Sequence, residues 1–260
     1  MKYLFLWLEG SLQSWGVDSR FDFRQTLDFP TQSGIYGLLL AASGDFGPQE
    51  ELLARMADVP MVVTTFNSSI PKLTDFHMLG SGYDESDPWQ IMHIPRKQPK
   101  NSKEVENRKM RFLKKQGPDT SQMRTSAGGG AKRTYREYLQ DRCFAVILGL
   151  PDDLADKFAA ALQNPVADLY LGRKCCVPSE MIFQGMFESE EAASAALDNL
   201  IVQKNERQQN KRFQLEKQYI YRTVRPGEEP PDDALLLNDV PVRFGNNRLY
   251  RDRWVSVEFC

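Results

Sequence analysis

Two short polar stretches near the N-terminus hold residue types suited to gripping an anion: Gln13-Ser14-Trp15-Gly16 and Thr31-Gln32-Ser33-Gly34. The first follows the apolar run Tyr3 to Leu8, which reads as a central strand buried on both faces. The second leads into Ile35 to Ala42, an apolar run that reads as a helix packed on that sheet. The expected local order is strand, polar turn, then a helix with an open N-terminus. Ser33 is the candidate N-cap, with Thr31 beside it, and Gly34 would let a ligand approach the helix end without a side chain in the way. Backbone amides at such an end attract phosphate. The same residues would serve equally as a plain cap, and Gln13 to Trp15 as a turn closing the core.

A second candidate is Tyr170-Leu171-Gly172-Arg173-Lys174. Gly172 permits close backbone approach, while Arg173 and Lys174 neutralise phosphates; the bland alternative is a solvated basic turn. Charge distribution points the same way. From Arg96 to Arg136 thirteen Lys or Arg stand against three acids, in a chain of net charge −2, so the remaining residues are clearly acidic. A basic insert on an acidic body is the footprint of a local polyanion contact. Within it Arg108, Lys109, Arg111, Lys114 and Lys115 fall at spacings that one helical face could present.

The elements that must position these groups follow from periodicity. Helices are expected over Gln49 to Asp58, Asp152 to Gln163 and Ser189 to Leu200. Strands are expected over Pro60 to Phe66, Cys143 to Leu150, Ile182 to Phe187, Lys217 to Val224 and Asn247 to Phe259. From Gly80 to Gly130 the chain turns polar and Pro-containing and ends in a glycine triplet, which reads as an extended hairpin or loop. The order strand, helix, strand, insert, strand, helix, strand is that of a ferredoxin-like (RRM-like) α+β domain. The expected division is residues 1–202 for that domain, with an insertion at about 80–132, and 203–260 for a small C-terminal β-region.

Composition, at 41% hydrophobic and 26% charged, is that of a globular protein. No apolar stretch approaches the roughly 20 residues of a membrane span, and no signal peptide opens the chain, so a cytoplasmic location without membrane contact is expected. The cysteines at 143, 175, 176 and 260 show no Cys-x-x-Cys spacing, and with two histidines they make no zinc set. Neither metal nor cofactor is expected.

Four blocks in order carry a family resemblance. Leu6-Trp7-Leu8-Glu9-Gly10 with Leu12-Gln13-Ser14-Trp15-Gly16, then Phe29-Pro30-Thr31-Gln32-Ser33-Gly34-Ile35-Tyr36-Gly37, resembles the opening of the Cas-five (CasD-type) subunits of type I-E CRISPR Cascade. Thr74-Asp75-Phe76-His77, Tyr135-Arg136-Glu137-Tyr138-Leu139 and Tyr170 to Cys176 fit the same pattern. The resemblance implies a domain of the repeat-associated RNA-binding superfamily whose basic insertion is a thumb. It also implies a non-catalytic scaffold subunit of antiviral DNA interference, holding the five-prime handle of the crRNA. The implied partners are the Cas-seven backbone subunits, which it would cap, the Cas-eight large subunit beside it, and target DNA through the assembled complex. The RNA-binding residues so implied are Gln13, Ser14, Trp15, Arg20, Arg24, Thr31, Ser33, Gly34, Lys109, Arg111, Lys114, Lys115, Arg133, Arg136, Tyr170, Gly172, Arg173 and Lys174. In that set Gln13 and Ser14 reach base edges or ribose oxygens, and Trp15 shapes the site rather than stacks. Type I-C relatives instead cut precursor crRNA without a metal, for which His77 with Tyr36 and Lys174 would be the candidates. The Leu-Gln-Ser-Trp-Gly opening matches the branch in which a separate subunit cuts.

Overall fold

The computed structural model describes residues 1–16, 22–66, 70–79, 132–208 and 214–260. They fall in two units, one of Met1–Asp75 with Tyr135–Cys260 and a second of Phe76–Thr134. The first unit is organised on a large sheet. Its axis is β1 (Lys2–Gln13), antiparallel to the long β7 (Lys132–Leu150) in a continuous register from Lys2 opposite Leu150 to Gln13 opposite Leu139. β8 (Phe183–Phe187) pairs with the other edge of β1, and β5 (Met61–Phe66) with the other edge of β7, both antiparallel. Beyond β5 the sheet continues through β9 (Lys217–Thr223) and β11 (Leu249–Phe259) to β10 (Leu235–Arg243). The three strands after residue 216 thus continue the same sheet.

Both faces of the central strands are covered, and the strand sequences show why. β5 reads Met-Val-Val-Thr-Thr-Phe and is buried at every position, as a strand with helices on both sides must be. On one face α1 (Gln32–Ser43), α2 (Glu50–Met56) and α3 (Asp152–Gln163) pack Ile35, Leu39, Leu53 and Phe158 against Leu4, Leu6, Leu8, Val146 and Leu148. On the other face α4 (Glu190–Arg207) lays Ala193 and Leu197 over Phe5, Trp7, Val62, Phe66 and Ile147. Each large apolar side chain so enclosed stabilises the fold by about 1.5–3 kcal/mol. Lys204 pins α4 down: its ammonium lies 5.0 Å above the Trp7 ring and 3.0 Å from a Glu9 carboxylate oxygen. Phe5, Trp7 and Phe66 are therefore core, with no ring left open for a base beneath α4.

The helix expected at 152–163 is found at those residues, and the expected strands at 60–66, 182–187 and 217–224 are recovered within a residue. Two departures matter. β1 continues through Gln13, so the stretch expected as a polar turn is strand, followed at once by β2 (Trp15–Gly16), which pairs with β4 (Thr26–Leu27). β10 has no counterpart among the expected strands, because Asn238, Asp239 and Pro241 give its sequence the look of a loop. Between β2 and β4, β3 (Phe23–Arg24) pairs parallel to β7. β6 (Leu73–Leu79) begins at the end of the first unit and continues into the second. The insertion expected over 80–130 lies outside the described residues. No helix among the described residues is long and apolar enough to cross a membrane.

Candidate nucleic-acid interface

The expected anion site at the start of α1 is already filled by the chain itself. Thr31, not Ser33, is the N-cap: its backbone is extended and its hydroxyl accepts the Gly34 N–H at 3.1 Å. The Ser33 hydroxyl points back to Thr31 Oγ1 at 3.4 Å. The Gln32 N–H donates to Asp239 Oδ2 at 2.7 Å, so the anion at this helix end is a carboxylate delivered by β10. Asp239 is held in turn by Arg253 of β11, whose Nε and Nη2 donate to its two oxygens at 2.6 and 2.9 Å, with both side chains buried. Nor is Gly34 an open approach. A Cβ there would lie 2.8 Å from the Trp15 ring and 2.9 Å from Thr31 Oγ1, so the glycine is demanded by packing against the indole. The phosphate reading of Thr31, Ser33 and Gly34 is corrected accordingly.

Gln13, Ser14 and Trp15 are likewise interior. The Gln13 amide donates to the Leu8 carbonyl at 3.2 Å and the Arg142 carbonyl at 2.7 Å, while its oxygen accepts from the Trp15 indole N–H at 3.1 Å. An amide in a strand thus supplies the hydrogen bonds that two buried carbonyls need, which is why a polar residue continues β1 instead of ending it. Trp15 is 1% exposed, and its backbone N–H donates to Thr26 Oγ1 at 2.7 Å. None of these three side chains is placed to meet a base or ribose.

Ser14 acts instead through its backbone, as the dock for the second candidate loop. Its N–H donates to the Leu171 carbonyl at 3.0 Å. Gly172 has φ +102°, and a Cβ on it would stand 1.8 Å from the Ser14 carbonyl oxygen. Glycine is required there on both counts. The loop closes on itself, with Leu171 N–H donating to Cys176 O and Cys176 N–H to Arg173 O, and the buried Leu171 side chain anchors it. Gly172 therefore fixes the loop to β1 and holds Arg173 in place. The Tyr170 hydroxyl lies 3.5 Å from Asp168 Oδ2.

Arg173 ties three segments together. Its Nη1 donates to the Glu137 carbonyl at 2.8 Å, its Nη2 to the Arg24 carbonyl at 3.2 Å, and its guanidinium lies 4.6 Å from the Tyr138 ring centre. Burial, with the Cys175 thiol adding to it, raises the Tyr138 hydroxyl above the ordinary tyrosine range, so this platform stays neutral. Arg24 lies directly beside Arg136 in the parallel β3–β7 register. Carbonyls satisfy the geometry of Arg173 without cancelling its charge, and among the described residues Arg24, Arg136, Arg173 and Lys174 have no carboxylate partner. Arg136 Nε is buried with no acceptor. Tyr138 belongs to this cluster although it is absent from the residues expected to bind RNA; its signal is its place beside Arg136 in the Tyr135 to Leu139 block.

Arg20, Lys109, Arg111, Lys114 and Lys115 lie outside the described residues, and Arg133 is placed only as part of the β7 backbone. Of the residues considered for RNA cleavage, Tyr36 is enclosed: its hydroxyl donates to the Met56 carbonyl and accepts from the Gln32 amide at 2.6 Å. Burial pushes its ionisation well above the usual tyrosine range, so it cannot exchange a proton with a bound RNA. His77 lies on β6 in the second unit.

This architecture is shared with CRISPR-associated proteins. The chain belongs to the CRISPR-associated protein family Cas_Cas5, whose profile matches residues 3–256. It is 26% identical over 208 residues to the CRISPR system Cascade subunit CasD of Escherichia coli (strain K12), covering 75% of this chain and 76% of that one. In fold it is similar to a chain of a solved CRISPR RNA-guided surveillance complex, with a TM-score of 0.63 and 24% identity over 99% of this chain and 89% of that chain. A crystal structure of a Cas protein aligns with a TM-score of 0.56 and 24% identity, over 99% and 94% of the two chains.

Proposed function

We propose that this chain is a non-catalytic crRNA-binding subunit of a type I-E Cascade surveillance complex, and that it holds the five-prime handle of the guide. The observation that carries this reading is the convergence of Arg24, Arg136 and Arg173 from three separated segments, with Lys174 next to Arg173 in the chain, into a basic cluster that has no carboxylate partner among the described residues. Four cations kept apart from carboxylates are costly to assemble unless a polyanion completes them. The orphaned Arg136 Nε gives that partner a donor to satisfy. Kinship to CasD and the likeness to a surveillance-complex chain support the assembly, in which Cas-seven and Cas-eight subunits are the proposed neighbours and target DNA is met through the whole complex. The unit formed by β1, α1, β5, β7, α3 and β8, with strand order β5-β7-β1-β8 and antiparallel pairing throughout, supports the ferredoxin-like assignment for residues 1–202. The cations of 96–133 support a thumb inserted at about 80–132, and β9 to β11 support an appended β-region over 203–260. Enclosure of Tyr36 favours binding over cleavage.

The test is a titration of the purified chain with labelled handle RNA at several salt concentrations. Arg24→Ala, Arg173→Ala and Lys174→Ala should each weaken binding and lower the slope of log affinity against log salt by about 0.7 for every phosphate left without its cation. The RNA should come back intact without metal. Unchanged slopes in all three variants would remove the proposed site, and a specific cut that disappears in His77→Ala would make the chain a processing enzyme.

A further inference from the structure

The sheet ends on one side at β10, and no further strand pairs with it among the described residues. Proteins usually blunt such an edge with charge, proline or a bulge. Here the bulge between Asn238 and Val240 and the proline at 241 protect the second half of the strand, while Leu235-Leu236-Leu237 carries no such device. Leu236 stands opposite Trp254 of β11; they are 54% and 41% exposed, and Leu235 beside them is 41% exposed. Asn238 and Asp252, the next pair on that face, hydrogen bond to each other, so the Leu236–Trp254 pair lies on a formed and regular ladder. A half-exposed tryptophan is the kind of anchor that dominates protein interfaces, and the leucine across from it widens the apolar patch.

Charge selects the occupant. The connection running into β10 carries Glu228, Glu229, Asp232 and Asp233, all exposed and without a cationic partner among the described residues. Pro226, Pro230 and Pro231 stiffen it, and two turns, Glu228 N–H to Arg225 O and Ala234 N–H to Pro231 O, shape it as it runs into Leu235. Arg251, which faces this region from β11, is paired with Asp58. Against four carboxylates only the Arg225 guanidinium stands unpaired among the described residues here, so a nucleic acid would be repelled and a cationic segment drawn in.

We propose that the Leu235 to Asn238 edge with Trp254 is a docking strip for an extended basic segment of a protein subunit. The segment would add to β10 as a further strand, seat an apolar side chain on Leu236 and Trp254, and set Lys or Arg against Glu228, Glu229, Asp232 and Asp233. The strip lies four strands along the sheet from β7, which carries Arg136, so RNA and protein would be held at separate places. This inference rests on the assembly proposed above.

The experiment uses the chain co-expressed with a guide RNA and the other subunits of a type I-E Cascade, with a benzophenone amino acid in place of Leu236 or, separately, of Lys174. Position 236 should cross-link to protein, at a segment rich in Lys or Arg by mass spectrometry, and position 174 to RNA. Trp254→Ala, and separately Asp232→Lys with Asp233→Lys, should lower recovery of the cross-linked subunit about tenfold or more while RNA recovery and melting temperature hold. If position 174 reaches RNA while 236 reaches RNA or nothing, the docking strip is refuted and the RNA reading stands. If 236 reaches a protein while 174 reaches none of the RNA, the RNA site is refuted instead. Full recovery of the subunit with both sets of variants would also overturn the strip.

Discussion

Asp239→Asn tests the join between the C-terminal hairpin and the first helix. The carboxylate accepts two bonds from Arg253 and one from the Gln32 N–H, and the two charged side chains are only 6% and 7% exposed. Asparagine has nearly the same shape but offers an NH2 group where one of those acceptors stood. Either a guanidinium arm or the helix N–H then meets a donor, and Arg253 keeps a buried charge without its counter-ion. Removing one member of a buried ion pair costs about 3–5 kcal/mol, several times the ~1 kcal/mol of a missing N-cap. In a chain of this size 1 kcal/mol moves the midpoint by about 2–4 °C, so melting should fall by roughly 6–20 °C in scanning calorimetry. Pairing Asp239→Leu with Arg253→Met removes both charges together and should lie closer to the parent than either single change, short of it by about 1–3 kcal/mol for the orphaned Gln32 N–H. A drop below about 3 °C for Asp239→Asn, or a double variant weaker than both singles, would refute the account of this carboxylate as the internal anion of α1.

Gly172→Ala should leave the sheet folded, with melting lowered by only a few degrees, yet displace the loop from Ser14 and weaken handle RNA binding to the level of Arg173→Ala; unchanged affinity would show that the loop's position does not matter. Tyr36 predicts a pH dependence: burial holds its phenol protonated to a higher pH than in the unfolded chain, which releases the proton near pH 10. Its contribution to stability is therefore complete below about pH 10 and is lost as pH rises further, so the urea midpoint should fall as pH rises above about 10, and less steeply in Tyr36→Phe; equal slopes in the two proteins would contradict this.

The elements made of contiguous apolar periodicity are legible in the sequence, and α3 is readable to the residue because Pro151 and two acids open it. What is not legible depends on partners far along the chain. Thr31 and Ser33 offer the same hydroxyl chemistry, and only the fold decides that Thr31 caps while Asp239, 207 residues from Gln32, takes the remaining amide. Gln13 reads as a turn residue because nothing local reveals that two carbonyls will need its amide. β10 is hidden for the opposite reason, since Pro241 ordinarily argues against a strand and is tolerated here on an edge. In the candidate site, Arg24, Arg136 and Arg173 are identifiable singly as cations, but their meeting requires the β3–β7 register and the close glycine approach that docks the loop.

The carboxylate latch on α1 also sets an order of events during synthesis. The helix is translated among the first 43 residues, whereas the aspartate that completes its end and the arginine that holds that aspartate come at 239 and 253. β1 waits in the same way for β7, and β5 for β9. Contacts of such long sequence separation make folding slow, because chain entropy is lost before the pairing repays it. The nascent N-terminal half leaves the ribosome with Leu4, Leu6, Leu8 and the underside of α1 uncovered, a sticky intermediate until the last strands arrive. Yield of this protein should therefore respond to translation rate and chaperone supply more than its finished stability would suggest.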